Sequence, residues 1–264
     1  MLHLFTFCVD IQKIPKSDLV RCLNFLILGL DKHVQEYKLT VYSNFLNSHE
    51  NPSVQIRQYY DKQTNRMYAN KWLNLSFNKI NIWKDLYDEQ KIEYTWLDLD
   101  TFVCYDISYY NNLSNLFIKN QGRCQIKNVL FHNNNQITVP RHEYIQGNVW
   151  KLNLELYHQL FQTLDIIKRQ RLQPRYDLQD IFNYHQRLHP NSLTVLDESI
   201  NGLGVWDPKT KTHATLLGLK NIYVKDGIYY TKLIENKPIH ILSFTFMTLR
   251  KLWNTPQFKT LFLN

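Results

Sequence analysis

Apolar strands alternate with amphipathic helices through the first hundred residues. LHLFTFCVD (2–10) is apolar almost throughout, which predicts a buried strand. SDLVRCLNFLILGLDKH (17–33) has helical periodicity, with Ser17 placed to cap its start. YKLTVYSNF (37–45) and VQIRQYY (54–60) predict two more strands. KWLNLSFNKINIWKDLYDEQ (71–90) sets Trp72, Leu75, Ile80, Trp83 and Leu86 at roughly helical spacing. A further strand is predicted over YTWLDLDTFVCYDIS (94–108). This order predicts an α/β fold, a mixed, mostly parallel central sheet flanked by helices.

The second half is more mixed. KNVLFHN (127–133) predicts a strand, WKLNLELYHQLFQTLDIIKRQRL (150–172) a long amphipathic helix, and DLQDIFNYHQRL (177–188) another helix. Strands are predicted in SLTVLDES, NIYVKDGIYYTKL and KPIHILSF, with Asp226-Gly227 as a hairpin turn. The tail, TFMTLRKLWNTPQFKTLFL (245–263), is apolar and basic. No repeat, low-complexity tract or linker interrupts the chain, so a single domain over 1–264 is expected.

Within 94–108, Asp98 and Asp100 interrupt an apolar segment of Trp96, Leu97, Leu99 and Phe102. On a strand, residues two apart share a face, so both carboxylates are expected to project together. Two such acids repel unless a cation lies between them. Mg²⁺ or Mn²⁺ takes oxygen ligands of this kind and can in turn hold a diphosphate. An isolated Asp-x-Asp is more often a solvated strand end. Here the apolar setting favours a bound partner. In an open parallel sheet, ligands sit at the carboxyl ends of the strands, where Asp10 would join the pair.

Composition narrows the options. With 264 residues, 44% hydrophobic and 14% aromatic, the chain can bury a sizeable core. It has only 7 glycines, and neither G-x-G-x-x-G nor a P-loop pattern occurs. The formal charge of +8 favours acidic partners, although only IKRQRLQPR (167–175) is densely basic. A dedicated nucleic-acid binder usually shows a sharper stripe. Cys8, Cys22, Cys104 and Cys124 are widely spaced, which disfavours structural zinc and suits a reducing compartment. The apolar N-terminus lacks a basic leader, and no run of about 18 apolar residues occurs. A cytoplasmic protein is expected.

Three pieces resemble the GT-A glycosyltransferases, most closely the retaining type of glycosyltransferase family 8 and related capsule and lipopolysaccharide enzymes. They are Trp96-Leu97-Asp98-Leu99-Asp100 with Asp106-Ile107 after it, Gln179-Asp180-x-x-Asn183 at a helix start, and His240 in a late strand. The resemblance implies that Asp100, Asp98 and His240 hold Mn²⁺ or Mg²⁺, Asp98 also touching ribose. It implies that Gln179 lies beside the anomeric carbon and that Asp180 binds sugar hydroxyls. Donor contacts would come from Cys8, Asp10, Lys71, Asp98, Leu99, Gly147, Asn148 and Lys251, with Trp253 near Lys251. Residues 1–110 would form the nucleotide-binding half, and 111–264 the acceptor half and tail.

The expected activity is metal-dependent transfer of a sugar from a nucleotide-diphosphate sugar to a glycan or lipid-linked acceptor, in surface polysaccharide synthesis. Retention follows from the resemblance; an inverting relative would need a base such as Asp177, Asp180 or Glu198. Two alternatives stand beside it. One is a transferase acting on DNA or protein. The other is a non-catalytic or nucleotidyl-transferring relative. The segment Phe244 to Leu263 suits either core packing or peripheral contact with an anionic membrane at its inner face.

Overall fold

In the computed structural model, β1 (Leu2–Cys8) is an interior strand of a seven-stranded sheet. Residues 1–10, 14–60, 71–119, 127–140, 143–175, 178–196, 206–207, 212–213, 219, 221–232, 238–244 and 246–263 are described. β2 (Tyr37–Ser43) pairs parallel with β1, and β3 (Val54–Gln58) parallel with β2. On the other side, β4 (Thr95–Leu97) pairs parallel with β1. Next comes β9 (Ile145–Lys151), antiparallel to both β4 and β6 (Leu116–Lys119), and β10 (Val195–Leu196) closes the sheet parallel to β6. The order β3-β2-β1-β4-β9-β6-β10 is a mixed, mostly parallel α/β sheet. It draws strands from both halves of the chain.

Each face is covered because the strands carry apolar side chains on both. One face packs against α1 (Lys16–His33) through Leu4, Cys8, Leu23, Leu26 and Leu97. Gly29 lets α1 reach the neighbouring backbone, since a Cβ there would stand 2.7 Å from the Val103 nitrogen. The other face packs against α2 (Lys71–Gln90), α3 (Leu154–Arg169) and α4 (Leu178–Leu188). Its centre is aromatic: Trp96 and Trp150 are cross-strand partners with ring centroids 6.0 Å apart, and Phe5 lies 5.0 Å from Trp96.

Four predicted elements are redrawn. Ser17 lies inside α1, which starts at Lys16 after Pro15 without a side-chain cap. The helix expected from Trp150 starts at Leu154, capped by Asn153, whose side chain accepts from the Leu156 amide at 2.8 Å. The first residues of that run belong to β9 instead. The predicted acidic strand breaks into β4, a turn over 98–100, and β5 (Thr101–Val103). β5 pairs with β15 (Ile241–Ser243) as a separate antiparallel ribbon on the α1 side. The strand at 127–133 is β7 (Lys127–Phe131), which pairs with β8 (Asn134–Pro140) in a hairpin outside the main sheet.

The remaining pieces are small. β11 (Trp206–Asp207) pairs with β12 (Thr212–His213), and β13 (Ile222–Lys225) with β14 (Ile228–Thr231) across the predicted Asp226-Gly227 turn. Gly227 has φ +78°, a conformation that favours glycine. The tail forms α5 (Phe246–Leu252), then short turns over Pro256–Phe258 and Lys259–Leu263. Leu249, Leu252, Phe258 and Phe262 are buried, with Phe258 and Phe262 against Phe25. These side chains are part of the core, the first of the two roles that suited the tail. Among the described residues, no helix is long and apolar enough to cross a membrane.

Candidate functional site

Strand direction brings several predicted residues to one edge. β1 and β4 end there, and β9, running antiparallel, begins there. Between β4 and β5, the turn 98–100 is fixed by its backbone. The Asp98 amide donates to the Asn148 carbonyl at 2.8 Å, and Thr101 Oγ1 donates to the Asp98 carbonyl at 2.7 Å. The Phe244 amide donates to the Asp100 carbonyl at 2.9 Å. Asn148 Nδ2 also donates to Ser243 Oγ, so the turn, β9 and β15 form one hydrogen-bonded unit. The acids thus lie on a turn at the strand's carboxyl end, and pleat alternation does not set their directions.

Their surroundings differ. Asp98 Oδ1 accepts from Lys79 Nζ at 2.9 Å and from Trp96 Nε1 at 2.9 Å. The Lys79 ammonium also lies 4.2 Å from the centroid of the Trp96 ring. Only 15% of the Lys79 side chain and 29% of the Asp98 side chain are exposed, so water screens this pair only partly. Asp100 lies toward α1, where its charge adds to the upward push that burial exerts on the Cys22 thiol. Leu99, between them, is buried in the α1-side core.

Lys79 is the basic side chain at the turn; the sequence pointed to Lys71 instead. Lys71 opens α2, and its side chain lies outside the described part. Lys79 sits on the inward face of α2 between buried Asn78 and Ile80. A lysine on an apolar helix face was the available signal.

The second motif meets the same edge. A Cβ on Gly147 would stand 2.8 Å from Gln179 Cγ, so any larger residue there would have to push the Gln179 side chain aside. Space above Gly147 is filled by Gln179, where a donor contact was expected. Asn183 clamps the strand: its Oδ1 accepts from the Ile145 amide and its Nδ2 donates to the Ile145 carbonyl, both at 2.9 Å. Asp180 is fully buried, accepting from Tyr144 Oη at 3.1 Å and from the Arg175 amide at 2.6 Å. A carboxylate enclosed this way orders the loop before α4 and does not face a sugar.

Other expected residues divide between rim and core. Asp10 lies on the rim, its backbone joined to the Asn44 side chain and its carboxylate 3.7 Å from Lys16. Lys251 is exposed in the last turn of α5, and its neighbour Arg250 reaches Asp18 at 3.5 Å, close to the start of α1. Trp253 packs on Phe25 and under the Arg21 guanidinium. Cys8 is fully buried, and desolvation pushes its thiol up to about 12, so its side chain belongs to the core. Cys22 and Cys104 are likewise buried and raised.

His240 is not brought to the carboxylates. Its carbonyl accepts from the Cys104 amide, whereas Asp100 pairs with Phe244, four residues farther along β15. Four residues of strand span roughly 13 Å. The His240 ring stacks on Tyr105 at 4.7 Å, and its Nδ1 lies 3.1 Å from Tyr109 Oη. Among the described residues, no group of three His, Cys, Asp or Glu is placed to hold a metal ion. The turn itself carries two carboxylates, Asp98 and Asp100. Asp177 and Glu198, the other candidate bases, and Cys124 lie outside the described residues.

No protein-family model matches the chain, and no curated protein is significantly similar to it.

Proposed function

We propose that this protein is a metal-dependent glycosyltransferase that uses a nucleoside-diphosphate sugar and passes the sugar to a glycan or lipid-linked acceptor. One observation carries the reading: an Asp-x-Asp turn at the carboxyl edge of a mostly parallel sheet, with the Gly147–Gln179 contact of a second motif on the adjoining strand. Such an edge is where open α/β sheets bind ligands. Many unrelated activities share that architecture, so the function rests on the site residues.

The donor set suits a hard cation. Mg²⁺ and Mn²⁺ are commonly held by one or two carboxylates, with substrate phosphates and water completing the shell. Asp98 and Asp100 would supply those carboxylates without His240. When bound, the ion acts as a Lewis acid toward the diphosphate oxygens. The chain's residues do the rest. Trp96 and Lys79 both address Asp98 Oδ1, which sets the orientation of that carboxylate. In this reading Gln179, which packs against Gly147, presents its amide to the sugar, while Asp180 and Asn183 hold α4 and β9 in register. Retention at the anomeric carbon belongs to this reading.

The Lys79–Asp98 pair favours a second reading, in which the ammonium itself is the fixed positive charge for the leaving diphosphate and no metal is needed. Sugar release from UDP-glucose, UDP-galactose, UDP-N-acetylglucosamine and GDP-mannose, with Mn²⁺ or EDTA, separates the two. Wild type is expected to hydrolyse at least one donor slowly, and only with metal. Asp100→Ala should lower that rate on the order of 100-fold while leaving the melting temperature unchanged. Turnover in EDTA that is lost in Lys79→Met would favour the metal-free form. No binding or hydrolysis of any of the four under either condition would refute both.

A further inference from the structure

A cleft of about 580 Å³ opens beside the candidate site, between the β7–β8 hairpin, the end of β6 and α4. We propose that it binds a sugar bearing a carboxylate, and that this acidic sugar belongs to the acceptor glycan. Naming it the acceptor rests on the glycosyltransferase reading; binding of the acidic sugar does not.

Three observations support the proposal. First, the cleft reaches the residues that anchor the strand carrying Gly147. Ile145 and Asn183 line it, and these residues form the clamp that holds the start of β9, two residues before Gly147. Gln179, Asn183 and Arg187 follow one another at i, i+4 and i+8, so a single face of α4 runs from the site into the cleft. At 1.5 Å per residue, Arg187 lies about 12 Å from Gln179 along the helix. A ligand spanning both would be extended, with its acidic group recognised away from the reacting end.

Second, the charge is suited to a carboxylate. Lys119 and Arg187 stand on different walls, at the end of β6 and on α4, and among the described lining residues Glu143 is the one acid. Arg187 Nη1 donates to the Thr138 carbonyl at 3.3 Å, which steadies the guanidinium against the hairpin. A guanidinium carries five N–H donors in a planar fork that matches a carboxylate. Third, the lining mixes polar groups such as Asn191 with apolar Val139 and Leu193. Sugars offer the same mixture of hydroxyls and C–H faces, and the volume lies within the usual range for small-ligand sites.

The test is isothermal titration of the full chain with a hyaluronan tetrasaccharide, without nucleotide sugar or metal. Wild type is expected to bind. Lys119→Glu/Arg187→Glu should weaken binding at least tenfold, and the milder Arg187→Gln, on an exposed helix position, at least threefold. Methyl esterification of the tetrasaccharide carboxylates should cost at least tenfold. Lys225→Glu/Lys259→Glu makes the same charge change on another surface and should stay within twofold. No binding by wild type, equal binding of the ester, or an equal loss in the Lys225/Lys259 control overturns the proposal. Cleft-dependent binding in a protein that neither binds nor hydrolyses any nucleotide sugar would uphold the acidic-sugar site and remove its acceptor role.

Discussion

At the carboxylate turn, Lys79 decides the local charge. Asp-x-Asp is visible in any reading of the chain, but the lysine that meets it comes from 19 residues earlier, on a helix. No spacing rule links the two, and only the packing of α2 onto Trp96 brings them together. His185 shows the opposite case, a titratable group committed to structure. It is fully buried, its Nδ1 lies 2.8 Å from Thr163 Oγ1, and desolvation lowers its pKa to about 4. A histidine lowered in the fold takes up its proton first in the unfolded chain. Stability is therefore full above pH 6.5 and falls as pH drops toward 4. From pH 7.5 to pH 5 the loss from this residue is about 2 kcal/mol. His185→Asn should flatten the pH dependence of urea unfolding over that interval by about this amount. Lowered His3 and His33 would retain a smaller slope of the same sign. An unchanged slope in the variant would show that His185 is not held neutral.

At the scale of elements, the helices were legible where periodicity was long, and strands where apolar runs were uninterrupted. The centre of the chain was harder. A helix was expected from Trp150, yet 145–151 is an interior strand buried along its whole length. Burial on both faces removes the alternation by which a strand is recognised. The polar residues Asn148 and Lys151 survive there through specific partners. Lys151, for example, donates to the carbonyls of Tyr110, Asn111 and Leu113 and lies 3.3 Å from Glu93. Gly147 was singled out in the sequence, but its reason is the approach of Gln179. Gly147→Ala is expected to destabilise by about 1–3 kcal/mol through overpacking. It should also abolish donor hydrolysis by displacing Gln179. Adding Gln179→Ala should restore the denaturation midpoint without restoring hydrolysis. A Gly147→Ala protein with wild-type stability and rate would contradict the contact.

For the whole molecule, the α/β class followed from the strand–helix alternation. The order of strands did not, because β6, β9 and β10 join the sheet through pairings distant in sequence. Composition was also ambiguous about the tail. Its aromatic residues would suit a membrane face equally well, and only Phe25, Phe102 and Tyr229 on its partner surfaces show why Phe258 and Phe262 turn inward. The net charge of +8 is spread over this surface, with Lys119 and Arg187 contributing at the cleft beside the site. The central claim is narrower: the 98–100 turn holds a divalent cation against a nucleoside diphosphate. Crystals grown with Mn²⁺ and either UDP or GDP, with data collected at the manganese absorption edge, test it directly. The account predicts an anomalous peak at the carboxylates of Asp98 and Asp100, bridged to the diphosphate. A bound diphosphate with no manganese at those side chains, or manganese bound elsewhere with both carboxylates turned away, would contradict it.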